Sequence, residues 1–139
     1  MIVFDTNVLS EMMRAEPDGA VLEWVARQPM AGLFTTTISQ AEIYYGLALL
    51  PEGKRREALL GAAHAMFEED FAGRILPFDT EAAHAYSKVA ATRKLGQPIS
   101  QFDAQIAGIV RSRGAQLATR NVRDFVDCGI SIVDPWIAK

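Results

Sequence analysis

The sequence predicts an α/β layered domain in which helices flank a largely parallel sheet. Three observations carry that expectation. Short runs of β-branched and aliphatic residues alternate with longer helical patterns along the whole chain. Helix breakers separate several of those patterns. Acidic residues recur where a strand-like run gives way to a helix.

The elements read in order as follows. The chain opens on strand Ile2–Phe4, an apolar run that stops at Asp5-Thr6-Asn7. Helical patterns at about 8–14 and 19–28 come next, with Leu9, Met12, Met13, Val21, Trp24 and Val25 supplying apolar surface for packing on a sheet. Strand Leu33–Thr37 leads to a helix at 40–50, which Pro51-Glu52-Gly53 separates from another at 54–71. Strand Arg74–Phe78 precedes a helix at 80–95, ended by Gly96-Gln97-Pro98, and a helix at 101–113, ended by Gly114. Strand Gln116–Thr119, a short helix near 122–127 and strand Ser131–Val133 close the chain. Periodicity leaves the order of strands in the sheet open.

The bulk composition narrows the class. The 139 residues, half of them hydrophobic and 22% charged, suit one globular domain over 1–139. No apolar run approaches the roughly 18 residues that read as a membrane span. Asp5 interrupts any would-be signal segment, so no membrane association is expected. Cys128 is the single cysteine and has no internal disulfide partner, which fits a reducing compartment; the expected location is cytoplasmic. A net charge of −3 argues against holding nucleic acid by overall positive charge, but not against an enzyme that touches it transiently.

Four junctions share one grammar. Asp5 follows the first strand, Glu42 sits in Ser39-Gln-Ala-Glu42, Asp103 in Ser100-Gln-Phe-Asp103, and Asp124 in Asn121-Val-Arg-Asp124. The plain alternative is helix capping, since Ser39/Glu42 and Ser100/Asp103 have the spacing of a capping box and Asn121/Asp124 is a looser version of it. Asp5 shifts the balance, because a carboxylate at the carboxyl end of a buried strand is costly without a partner. In open parallel sheets chemistry gathers beyond those strand ends. Asp103 joins the group only if its helix start folds against that edge. Crowded carboxylates raise one another's pKa, and a divalent cation relieves the conflict. Oxygen ligands without histidine or cysteine point to Mg²⁺ or Mn²⁺, and such sites commonly serve phosphoryl transfer.

The set Asp5-Thr6-Asn7, Glu42, Asp103 and Thr119-Arg-Asn121-Val-Arg-Asp124-Phe125, in that order and spacing, resembles the PIN-domain nucleases. Within them it is similar to the VapC and FitB type, toxins of bacterial toxin–antitoxin pairs. The likeness extends through IVFDTNVLSE, ISQAEIYYGLALL, FAGRILPFD and LATRNVRDF, nearly the whole chain. It implies a PIN-like three-layer domain with a five-stranded, mostly parallel sheet. It also implies a metal-dependent endoribonuclease that hydrolyses transfer or ribosomal RNA by water activated on Mg²⁺ or Mn²⁺, leaving a 5′-phosphate and a 3′-hydroxyl. By position, Asp5, Glu42 and Asp103 match the family's main metal-site acids. Many relatives carry aspartate where Asn121 stands; others pair asparagine with an acid three residues on, as with Asp124, so the resemblance puts both Asn121 and Asp124 in the catalytic set and Asp124 among the metal ligands as well. Thr6 and Thr119 match residues that support the pocket. Implied partners are RNA, a cognate VapB-like antitoxin in a heteromeric complex, and a second copy of the chain in a homodimer.

Arg120 and Arg123 flank Asn121 and are candidates for RNA phosphate contacts. Lys54-Arg55-Arg56 reads as a solvated face. His64 and His84 lie far in sequence from every acid junction, which argues against histidine acid–base chemistry. Met13 and Trp24 are candidates for a groove that takes an antitoxin segment, with core packing as the alternative. Two other functions compete. An aspartate-based phosphatase wants a second aspartate where Asn7 stands; a catalytically inactive binding module would show lost acids, yet Asp5, Glu42, Asp103 and Asp124 are all present.

Overall fold

The computed structural model describes residues 1–94, 96 and 98–139. Its sheet has five strands, β1 (Ile2–Phe4), β2 (Leu33–Thr36), β3 (Ile75–Leu76), β4 (Gln116–Ala118) and β5 (Ser131–Val133), in the order β3-β2-β1-β4-β5. Every pairing is parallel. β1 is central, with Ile2 opposite Leu33 on one side and Gln116 on the other.

Among the described residues six α-helices flank the sheet: α1 (Thr6–Met12), α2 (Gly19–Ala26), α3 (Thr37–Ala48), α4 (Lys54–Ala65), α5 (Thr80–Lys94) and α6 (Gln101–Ser112). None is long and apolar enough to cross a membrane. The period-two alternation of β1 sorts its side chains between two cores. Val3 joins Leu117 under α5 and α6, with Val89, Ile106 and Ile109. Phe4 faces the other way, against Val8, Leu9, Trp24, Ile43 and Leu47. Helices α5 and α6 approach closely at Gly108, where a Cβ would stand 2.8 Å from the Ala82 carbonyl oxygen.

The expected elements all form, β1 and β5 with the expected bounds and most of the others with shifted ends. α1 begins at Thr6 because Asp5 accepts the Thr6 amide proton at 2.8 Å and caps it. α3 begins three residues ahead of its expected start, and the reason corrects a reading. The N-cap is Thr36, whose hydroxyl accepts from the Ser39 amide at 3.0 Å. Ser39/Glu42 is therefore no capping box, and Glu42 stands beyond the first turn. β3 is shorter than expected, since Pro77 has no amide to donate. The helix expected over 54–71 is α4 followed by a π-helical turn, Met66–Asp70. The one expected near 122–127 is a 3₁₀ turn, Val122–Phe125, and a further 3₁₀ turn, Met30–Gly32, was not foreseen. The expected end of α5 at residue 95 and the Gln97 of its breaker lie outside the described residues.

Candidate active site

The site is built where β1 and β4 end. Asp5 leaves the sheet in an extended conformation, and its amide donates to the Ala118 carbonyl at 3.0 Å. Its side chain is 3% exposed. Three donors hold the carboxylate: the Thr6 amide at 2.8 Å, the Thr119 hydroxyl at 2.7 Å and the Asn7 amide group at 3.3 Å. Thr119 in turn accepts from Asn7 Nδ2 at 3.2 Å and from the Asn121 backbone amide at 3.0 Å. The Arg120 backbone amide donates to Asn7 Oδ1 at 3.2 Å. The Asp5-Thr6-Asn7 corner and the Thr119–Asn121 corner are thus stitched together.

The remaining acids come from helices. The Thr6 hydroxyl donates to Glu42 Oε1 at 3.0 Å and is hydrogen-bonded to Ser39 Oγ at 2.9 Å, which ties α3 to the head of α1. Ser100 caps α6 by accepting the Asp103 amide proton at 3.1 Å. Asp5, Glu42, Asp103 and Asn121 all line one cavity of about 480 Å³. Asp103 reaches it although no strand leads into its helix, because α6 starts against the same sheet edge. Asp124 is exposed and sits outside the cavity lining, within electrostatic reach of Asp103. Arg120 lines the cavity with its guanidinium 5.0 Å from the centre of the Trp136 ring, whereas Arg123 is exposed outside it.

The electrostatics follow from burial and crowding. Burial pushes the Asp5 carboxyl up to about 6 from an ordinary 3.8; the bonds from Thr119 and Thr6 oppose this, and the charges of Asp103 and Glu42 add to it. Burial raises Glu42 too, opposed by Thr6 and reinforced by Asp103. Asp103 is raised by burial and by Asp124, while Ser100 and Arg93 favour its charged form. Burial makes each of these acids resist ionisation, and a neighbouring carboxylate adds to it. Among the described residues no group of three or more His, Cys, Asp or Glu side chains is gathered closely enough to hold a metal by itself. The donor set nonetheless fits a hard cation that takes one or two carboxylates and keeps several of its own waters, as Mg²⁺ does.

Several pocket residues escaped the sequence reading. Glu11, 7% exposed, lines the cavity; it accepts from Arg14 Nη1 at 3.2 Å and from the Asp18 amide at 2.9 Å. The available signal was a polar stripe, Asn7, Ser10, Glu11 and Arg14, at helical spacing on an otherwise apolar helix. Trp136 had no such signal. Beside the acidic pocket, sharing Thr6, Ser10, Arg14 and Glu42 with it, runs a larger groove of about 790 Å³ lined by Met13, Ile43, Leu47, Arg55 and Leu59. Met13 therefore lies in the groove, and Trp24 is core, its ring 5.9 Å from that of Phe4.

The PIN-domain family model matches residues 2–128. The chain is 40% identical over 137 residues to a VapC ribonuclease of Sinorhizobium fredii, covering 98% of each chain. It is 33% identical over 141 residues to the toxin FitB of Neisseria gonorrhoeae, covering 98% of this chain and 99% of that one. The crystal structure of FitAcB from the same bacterium matches with a TM-score of 0.87 at 30% identity, over 99% of this chain and 100% of the other. Matched along nearly its whole length in both sequence and fold, the chain belongs to the PIN-domain family, among the VapC and FitB proteins.

Proposed function

We propose that this protein is a Mg²⁺- or Mn²⁺-dependent endoribonuclease, the cytoplasmic toxin of a toxin–antitoxin pair. The observation that carries the reading is that Asp5, Glu42 and Asp103, distant in sequence, line one cavity, where burial and the charges of Asp103 and Glu42 hold the Asp5 carboxyl above its ordinary range. Membership of a family whose relatives are named as VapC ribonucleases supports it.

Bound among these carboxylates, the cation would neutralise their charge, polarise the scissile phosphate and acidify a water. The chain's own residues do the rest. Asp5 is the anchor, with its orientation fixed by three donors before any ligand arrives. Glu42 and Asp103 complete the acidic wall, Glu42 being held through Thr6. Asn121 offers an amide at the cavity edge to orient water without adding charge. Arg120, held over Trp136, is placed to meet a phosphate at the rim. Water attacks phosphorus opposite the 3′ oxygen, which leaves, and the other fragment keeps a 5′-phosphate.

The adjoining apolar groove is the site for a segment of an antitoxin, which would then lie beside Thr6 and Glu42. Structures of the FitA and FitB proteins together support a partner of this kind; a second copy of the chain in a homodimer follows from the family resemblance alone. The test is to express the chain and Asp5→Asn separately and to map new 5′ ends across cellular RNA. New ends are expected from the wild type alone, with in vitro cleavage lost on chelation. Equal cleavage by Asp5→Asn in Mg²⁺ would overturn the assignment.

A further inference from the structure

We infer that Arg93 is a positioning residue for the acidic site: its guanidinium ties the chain entering α6 to the turn that carries Asn121 and Asp124. The inference rests on the nuclease reading above and concerns a residue that lines no part of the pocket. Arg93 lies in the last turns of α5 and is 4% exposed. Its Nη1 donates to the Asp124 carbonyl at 2.7 Å and the Val126 carbonyl at 2.8 Å, and lies 3.6 Å from the buried Cys128 sulfur. Its Nη2 donates to the Pro98 carbonyl at 3.3 Å, two residues before the cap of α6 and five before Asp103. One side chain thus spans the segment entering α6, which no strand feeds, and the turn that follows β4.

The chemistry favours a geometric role. A buried charge resting on backbone carbonyls is an expensive way to fill space, since an apolar side chain of similar size avoids the desolvation. What the guanidinium adds is a rigid fork of donors that fixes several acceptors at once. The segment it grips needs holding from outside. It contains Asp127 at φ 62° and Gly129 at φ 73°, and it has no regular ladder between the 3₁₀ turn and β5. Arg111 adds a second brace, with Nη1 donating to the Cys128 carbonyl at 3.5 Å. The Arg93 charge also lies close enough to Asp103 to favour its ionised form. The fork and the charge are separable by substitution.

The experiment compares the wild-type chain with Arg93→Lys, which keeps the charge and loses the fork, and Arg93→Met, which loses both. Three readouts are taken: the thermal melt, amide hydrogen exchange along the chain, and kcat and KM on an RNA oligonucleotide carrying the site mapped with wild type. Both variants are expected to exchange faster in 98–104 and 121–128 with β1 and α3 unchanged. Both should lose roughly 10–100-fold in kcat at a temperature well below their melts, with KM within about threefold, the size typical when the support of a site residue is removed. If Arg93→Met does not fold, Arg93→Lys alone decides. A lowered melt with kcat intact overturns the positioning role, and so does recovery of wild-type kcat by lysine, which would assign the effect to charge. Wild type that cuts no RNA overturns the nuclease reading, and this inference with it; an active wild type with an unimpaired Arg93→Lys overturns this inference alone.

Discussion

Asp5 and Asp103 reach the same cavity by opposite routes. Asp5 is buried at the end of the central strand, and two of its three donors, Thr6 and Asn7, are its next neighbours in sequence. Asp103 is half-buried in the first turn of a helix that no strand feeds, with Ser100 capping its amide and Arg93 bracing the segment before it. One acid is set by a local motif and the other by packing. The difference teaches that a site can be rigid at its anchor and adjustable at its flank. Losses at the anchor should be chemical, and losses at the flank geometric.

The largest expected break is between the acids themselves. Asp5→Asn should lower RNA cleavage by roughly 10³-fold or more, the scale seen when a member of a set acting as a unit is removed. Asp103→Asn should lower it by about 10–100-fold. Initial rates on one mapped substrate, with Mg²⁺ saturating, compare the two directly; equal losses would erase the distinction.

Acid stability sharpens the comparison. The folded Asp5 carboxyl titrates near 6 against an ordinary 3.8, so between those values the folded chain binds more protons than the unfolded one. Its contribution in the metal-free protein is full below about pH 4 and lost as the pH rises through 6, a difference of about 3 kcal/mol. Glu42 and Asp103 move in the same direction. In EDTA, Asp5→Asn should therefore melt higher than wild type at pH 8, with the gap closing towards pH 4. A gap independent of pH would show that burial of this carboxylate is not the cause.

The smallest effects separate the two supports. Thr119→Val removes a donor to Asp5 and an acceptor for Asn7 and Asn121, and should cost about 2–3 kcal/mol in denaturant melts at pH 7. Ser100→Ala removes only a helix cap, about 1 kcal/mol, and should leave cleavage within about threefold. A Ser100→Ala loss as large as that of Thr119→Val would mean that the cap, rather than the Arg93 brace, sets Asp103.

Much of this was legible in the chain, and the misses have physical causes. The five strands were found because aliphatic runs bounded by breakers are local signals, and β5 matched at both ends. The start of α3 was misread because Thr35, Thr36, Thr37 and Ser39 all carry hydroxyls suited to a cap. Which one takes the role depends on where β2 stops pairing with β1 and β3. The acids at 5, 42 and 103 were picked out through their place after strands or at helix starts, together with a family likeness. Arg93 and Trp136 were not, because the contacts that tie them to the site are long-range, 31 residues from Arg93 to Asp124 and 16 from Trp136 to Arg120.

By itself the sequence determined the kind of each element and the corner at Asp5-Thr6-Asn7, because side-chain alternation, capping and breaker residues act over a few positions. Only the tertiary structure decided the order β3-β2-β1-β4-β5, the arrival of Asp103 at the pocket and the grip of Arg93 on the distant turn at Asp124. Those outcomes depend on which surfaces bury one another once the chain has closed its loops. That is a property of the whole packed molecule, and no short window of residues contains it.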